Sequence, residues 1–369
     1  MVIIAALTGI LLIVYLTMSL LFLVGLFIPS QARSADRPFV SILIAARNEQ
    51  DHIIACLESA VRQSYPKDKF EVIVIDDRST DGTYQAVSQF SSLHPQIKLL
   101  HISSKPKKLS GKKNALDAGI KVAEGEILLF TDADCRVKNT WVEGMVSHFN
   151  SDVGAVIGFS AIESNNIFER WQEYDFLALM SATCGITNIG FPLAASGQNL
   201  AYRRKAFDSV GGFQTIKERI SGDDTLMIQL IRKNTKYKTV FASQDSTFNI
   251  TRPTHTLKEF IHQRSRWASN GIVMLRMNPA FFLYLIDVYA LHLLLVAGLL
   301  VGMIHLPLVI MTLFAWISKG IVDFAVTFSG ARQFKMKFSH AYFLWWFLLQ
   351  TPLILWVGLK GSLGLFKWK

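Results

Sequence analysis

A chain of 369 residues that is 51% apolar and only 18% charged has room for one large folded domain and several membrane-crossing segments, and is too apolar for an ordinary water-soluble protein of this size. Its formal net charge of +10 does not point to nucleic acid, because bases beside apolar runs, such as Arg33, Arg37, Lys335 and Lys337, orient spans and meet anionic lipid. Cys56, Cys135 and Cys184 show neither pairing nor metal-ligand rhythm and are read as reduced thiols.

From Val2 to Ile28 there is no Asp, Glu, Lys or Arg, enough for one span. The run is too long for an export signal, lacks a basic start and ends in a weak cleavage site, so residues 1–29 are expected to be a retained anchor. With Arg33 and Arg37 behind it, the N-terminus should face outward and the following domain the cytoplasm.

Residues 36–254 alternate charged and apolar stretches as a water-facing domain does. Phe39–Ala45 and Phe70–Ile75 are short β-branched runs suited to buried strands, and apolar residues at helical spacing between Asp51 and Gln63 supply the crossover. A helix from Asp81 to Phe90, an extended Ile97–Ile102, a helix from Lys112 to Ala123 and a strand Ile127–Thr131 repeat the pattern. It resumes with a helix from Trp141, strand Val153–Phe159, an aromatic helix Phe168–Met180, glycine-spotted loops over Gly185–Gly197, a helix from Asp223 and a strand Tyr237–Ala242. This order predicts an α/β, Rossmann-like domain with a mixed, mainly parallel sheet, plus transmembrane α-helices.

Residues 255–278 mix bases with Phe260, Ile261, Trp267, Ile272 and Met274, the pattern of an amphipathic helix at a membrane surface. Residues 279–369 are expected to hold about three further spans: Phe281–Met303, Leu306–Phe328 and Ala341–Leu359. Asp287 and Asp323 are placed near span ends, and Lys319 is expected to snorkel toward an interface. Four spans put both ends outside, against which the basic tail Lys367–Lys369 speaks.

Three acidic groups fall where elements end or begin: Asp76-Asp77, Asp132-Ala133-Asp134 and Asp223-Asp224. The strand-end edge of an open α/β sheet is its ligand-binding crevice. An Asp-x-Asp there can turn one carboxylate to a ribose and the other to Mg²⁺ or Mn²⁺, which favour oxygen ligands. Each group alone also reads as a turn or helix cap. Lys112 and Lys113 either meet a phosphate or form a solvated helix start, and Arg203 and Arg204 are candidates for a phosphate or an anionic acceptor. Gln263, Arg266 and Trp267 share one helical face; the Arg266 guanidinium suits a diphosphate, and Trp267 is either a wall for an acceptor or an interface anchor.

From about Phe39 to Asn270 the chain resembles the membrane-associated family 2 glycosyltransferases of GT-A fold. The resemblance rests on Ser41–Glu49 (SILIAARNE), Asp76–Thr83 (DDRSTDGT), the DxD at Asp132–Asp134, the acidic pair and Gln263-Arg264-Ser265-Arg266-Trp267, the QxxRW motif of processive and glycolipid-forming relatives. It implies a nucleotide-diphosphate sugar as donor, with Asp77 on its base, Asp132 on the ribose or diphosphate, Asp134 on Mg²⁺ or Mn²⁺, and Asp224 as general base of an inverting displacement. Two departures stand out: Asp223 where the family commonly has Glu, and Arg78 where it usually has Gly, changing the turn or adding a phosphate contact. The implied product is a sugar on a lipid, isoprenoid or other hydrophobic acceptor at a bacterial inner or cell membrane; processive polymer synthesis is the alternative, and a noncatalytic nucleotide-binding scaffold a more distant one.

Overall fold

The computed structural model describes residues 2–29, 34–104, 111–302 and 304–366. Arg33, Met303 and the tail Lys367–Lys369, used above for topology and span limits, lie outside the described residues. The chain forms two compact units: Pro29–Ser164 with Gly190–Pro253, and Met1–Ile28 with Asn165–Ile189 and Thr254–Lys369.

After helix α1 (Val2–Leu26), the chain runs β1 (Val40–Ala46), α2 (Ile53–Val61), β2 (Phe70–Asp77), α3 (Thr83–Ser92), β3 (Ile97–Ile102), α4 (Lys112–Val122), β4 (Ile127–Phe130), β5 (Arg136–Val137), α5 (Trp141–Val146), β6 (Val153–Gly158) and β7 (Ser160–Ile162). Helix α6 (Ile167–Asn188) follows, then β8 (Leu200–Arg203), α7 (Arg204–Ser209), α8 (Thr225–Asn234), β9 (Lys238–Ala242) and β10 (Asn249–Thr251). The remainder is helical: α9 (Leu257–Ala268), α10 (Gly271–Met277), α11 (Pro279–Gly302), α12 (Leu306–Gln333) and α13 (His340–Ser362).

The α/β unit is built on a seven-stranded sheet of order β3-β2-β1-β4-β8-β6-β9, with a small second sheet β5-β10-β7. In the large sheet β8 runs antiparallel to both neighbours and the other pairings are parallel, which is the mixed, mainly parallel sheet expected. Side chains of β1 and β2 are buried on both faces, which is why these strands read as unbroken apolar runs. Ile42, Ile44, Val72 and Val74 pack in one core with Ile53 and Leu57 of α2 and Trp141 of α5. Leu43 and Ile75 lie against Gly119 of α4 on the opposite face. Each such buried aliphatic contributes about 1.5–3 kcal/mol.

Glu71 is a carboxylate built into this sheet. Glu71, 4% exposed, accepts from the Ser41 hydroxyl (2.6 Å) and the Glu124 N–H (2.7 Å) and pairs with Lys98 (2.8 Å). Burial pushes its carboxyl upward, but those donors outweigh burial and hold it below the ordinary Glu value.

In the helical unit, α1, α11, α12 and α13 are long and apolar enough to cross a membrane, the four spans expected. Helix α6 extends eight residues past the expected end at Met180 because Gly185 lies against α1: a Cβ there would strike the Phe22 backbone, and one at Gly25 the Gly185 backbone. The amphipathic segment is two helices rather than one, broken at Ser269-Asn270, where poor helix formers meet Gly271. The Thr256–Glu259 capping box starts α9.

Lys319 does not snorkel. It is 1% exposed, donates to Asp323 on its own helix and to Gln350 of α13, and lies over the rings of Tyr15 and Phe347 at 5.2 and 5.1 Å. Tyr15 of α1 donates to the other Asp323 oxygen at 2.6 Å. Asp323 therefore sits inside α12 rather than near a span end, because its charge is met by Lys319 of its own helix and Tyr15 of α1 instead of by water.

Candidate active site

The parallel strands deliver their last residues to one edge of the large sheet, and the reversal of β8 brings its first residues to the same edge. Phe130, the end of β4, is registered with Leu200, the start of β8, so Asp132 and Asp134 leave beside the loop through Gly197 that enters. Asn199 fixes that loop: its Nδ2 donates to the carbonyls of Phe159 and Thr247 (2.8 Å each) and its Oδ1 accepts from Trp141 Nε1 (2.9 Å). A Cβ on Gly197 would lie 3.2 Å from Asp223 Oδ2, 3.7 Å from Lys112 Nζ and 3.8 Å from Asp224 Cβ. Gly197 and Asn199 carried no role in the sequence reading; the signal was a polar pair between a glycine-rich stretch and the apolar Leu200-Ala201-Tyr202.

The acidic pair is held from both sides. Gly222 adopts φ +106°, and a Cβ there would strike Leu226, so the turn into α8 needs glycine. Asp224 caps α8: one carboxylate oxygen accepts from the Thr225 N–H (2.5 Å), the other from the Gly197 N–H (3.2 Å). The buried Tyr202 hydroxyl donates to the Asp223 carbonyl at 2.8 Å. Two adjacent lysines opening α4 take different directions. Lys113 is wholly buried and donates to the carbonyls of Arg219 and Ser221, so it braces the approach to Asp223 rather than meeting a phosphate. Burial, aided by the Arg219 charge, pulls its ammonium down to about 8.

Lys112 points to the acids and donates to Asp132 Oδ1. Burial pulls its ammonium down, yet the charges of Asp132, Asp223 and Asp224 overturn this and hold it well above the usual lysine value. Asp132, Lys112, Asp223 and Asp224 thus form one electrostatic cluster drawn from β4, α4 and α8. Asp134 adjoins it: burial and then the Asp132 charge push its carboxyl up, and Cys135 and Lys112 only partly oppose them.

Asp77 ends β2 on the same edge, two strands from β4, about 10 Å at ordinary strand spacing. Arg78 takes the left-handed conformation, φ +59°, where a glycine would be unstrained. Its guanidinium turns back on Asp77, Nε to Oδ1 at 2.8 Å and Nη2 to Oδ2 at 3.1 Å. The loops after β1 and β2 are stitched together: Asn48 N–H donates to Ser79 Oγ (3.0 Å), Thr80 N–H to Asn48 Oδ1 (2.8 Å) and Gly82 N–H to Gln50 Oε1 (2.8 Å).

Arg203 and Arg204 do not serve as anion ligands here. The first donates to the carbonyls of Val153 and Asn150, the second to those of Gly125 and Ala123. Gln263, Arg266 and Trp267 lie on α9 in the helical unit. In that motif the buried guanidinium is Arg264, which pairs with Asp175 (2.7 Å), donates to Gln263 Oε1 (2.8 Å) and lies 4.2 Å from the Trp267 ring centre.

A divalent cation fits the chemistry of these donors. Asp132 and Asp134 offer oxygen alone, and a cation would relieve the crowding that raises the Asp134 carboxyl. Among the described residues no three His, Cys, Asp or Glu gather around one point.

Residues 41–219 match the family model Glycosyl transferase family 2. They are a family 2 glycosyl transferase domain. Asp77, Lys112, Asp132 and Asp134 fall within the matched range of this domain, while Asp223, Asp224 and Gln263–Trp267 follow it. The chain is 31% identical over 191 residues to the glycosyltransferase AglE of Haloferax volcanii, covering 51% of this chain and 59% of that protein. It is 31% identical over 239 residues to a beta-monoglucosyldiacylglycerol synthase of Nostoc sp., covering 63% and 49%. The chain spans about half to three fifths of the length of these curated relatives. The mannosyltransferase PcManGT of Pyrobaculum calidifontis, solved in complex with GDP-Man and Mn²⁺, superposes over 97% of this chain and 98% of its own at a TM-score of 0.64 and 21% identity. The fold is therefore of GT-A type, with long apolar helices added.

Proposed function

We propose that the chain is a metal-dependent glycosyltransferase that moves a sugar, with inversion, from a nucleotide-diphosphate donor to a lipid acceptor at a membrane. The observation that carries this reading is the gathering of Asp132, Lys112, Asp223 and Asp224 at the ligand edge of the sheet. The family match, the similarity to a glucosyldiacylglycerol synthase and the four apolar helices support it.

In this reading Asp77 receives the nucleobase, Asp132 the ribose or diphosphate, and Lys112 a donor phosphate. Asp134 holds Mg²⁺ or Mn²⁺, which when bound stabilises charge on the departing diphosphate. Asp224 takes the proton of the acceptor hydroxyl as that oxygen attacks the anomeric carbon. The backbone N–H groups of Gly197 and Thr225 hold the carboxylate plane in which that proton is received. Asp223 lines the site. Arg266 on the diphosphate, and Gln263 and Trp267 beside the acceptor, are assignments from the family resemblance. In this reading the α/β unit faces the cytoplasm, a topology that the bases following the first apolar run favour.

The test is mass spectrometry of products from the full chain in lipid, given labelled nucleotide sugars, total membrane lipids and Mn²⁺ or Mg²⁺. A singly glycosylated lipid formed only with the cation is expected; a soluble or polymeric product, or cation-independent transfer, would overturn the reading.

A further inference from the structure

The acidic centre already contains a cation of its own. Lys112 donates to Asp132, and its ammonium and the Asp223 carboxylate both lie over Gly197. Its direction is set by the fold. Gly111, at φ +63°, turns the chain sharply into α4, and the neighbouring Lys113 is fastened to the carbonyls of Arg219 and Ser221. Lys112, not fastened to those carbonyls, donates to Asp132. The lysine stem is flexible, so the ammonium can leave without backbone movement. An ammonium and a divalent ion a few ångströms apart repel strongly in a half-buried site, so the two exclude one another.

We propose that Lys112 is a built-in counter-cation: it holds the carboxylate centre in the donor-free protein and yields it when a divalent ion arrives with a nucleoside diphosphate, whose phosphates then take the ammonium. The inference rests on the reading of Asp134 as the metal holder. Two consequences follow. The ion alone binds weakly, because its site is competent only in the fraction of molecules where Lys112 has swung away. The ion and the diphosphate also strengthen each other's binding, since the diphosphate draws off the residue that blocks the ion.

The experiment is Mn²⁺ titration of the full chain in lipid, followed by the electron paramagnetic resonance signal of free Mn²⁺, without nucleotide and then with UDP or GDP. K112M is compared with K121M, which removes the same charge from an exposed site on the same helix. Occupancy of the centre by Lys112 for about nine-tenths of the time makes K112M bind Mn²⁺ alone about tenfold more tightly than wild type, with K121M unchanged. The enhancement by UDP or GDP shrinks in K112M. Equal or weaker Mn²⁺ binding by K112M overturns the inference and leaves the metal reading standing. Failure of the wild-type chain to bind Mn²⁺ under every condition overturns both.

A second measurement needs no variant. Mn²⁺ alone should speed acetylation of Lys112 relative to Lys121 in the wild-type protein, read by peptide mass spectrometry. An unchanged ratio counts against displacement.

Discussion

Arg78 grips both carboxylate oxygens of Asp77, the residue immediately before it, from a left-handed backbone position. The pair separates a backbone cost from a side-chain gain. Both R78G and R78A lose the grip, but only R78A keeps a Cβ in the left-handed region, which costs about 1–2 kcal/mol. R78A is expected to melt below R78G in the full chain; identical midpoints would contradict the strained turn.

Asp224 is expected to matter for turnover far more than for donor binding. D224N retains one oxygen to accept from the backbone but cannot take a proton. Its kcat should fall about 10²–10⁴-fold, the usual contribution of a general base, while UDP or GDP affinity with Mn²⁺ stays within about twofold. Undiminished transfer by D224N would remove the base assignment.

Gly222 sets the angle at which the acidic pair enters α8. G222A puts a methyl group at φ +106° and against Leu226, for which about 1–3 kcal/mol of stability should be lost. Thermal unfolding measures this, and a neutral result would show that the turn relaxes freely.

The buried Lys319–Asp323 pair predicts an asymmetry. K319M leaves Asp323 without its cation and should cost about 3–5 kcal/mol, whereas K319M with D323L removes both charges and should recover most of it. Unfolding midpoints in detergent decide; a double variant worse than the single one would mean that the Tyr15 contact to Asp323 outweighs the ion pair.

Glu71 gives a pH dependence with a definite sign. Its folded carboxyl sits below the ordinary value, so the unfolded chain binds that proton more readily and the stabilisation is lost as acid is added. The gap in melting temperature between wild type and E71Q should be full above about pH 5 and narrow as pH falls below about 4.3. A gap that widens in acid would reverse the assignment.

Most strands were legible as short runs of apolar and β-branched residues with clear ends: β3 coincides with the expected Ile97–Ile102, and β4 and β9 differ by one residue. The reversal of β8 was not legible, since Leu200-Ala201-Tyr202 carries no mark of direction. The length of α6 was hidden for a related reason. Gly185 reads as a loop former locally, and only the crossing of α1 makes it helical. At the candidate site the carboxylates announced themselves by position, but a lysine's partner depends on where its helix is pinned, so Lys112 and Lys113 looked alike. Arg203 and Arg204 misled because a guanidinium satisfies backbone carbonyls as readily as phosphate.

The reversed strand divides labour between chain segments. Parallel strands β2 and β4 carry the acids assigned to the donor, while residues 190–199 reach the same rim from outside that frame, anchored at Asn199. This stretch is a natural graft point: an engineer can exchange residues 190–196 for a segment of another shape to alter the rim beside Asp223 and Asp224, and leave the carboxylates proposed to hold the donor in place.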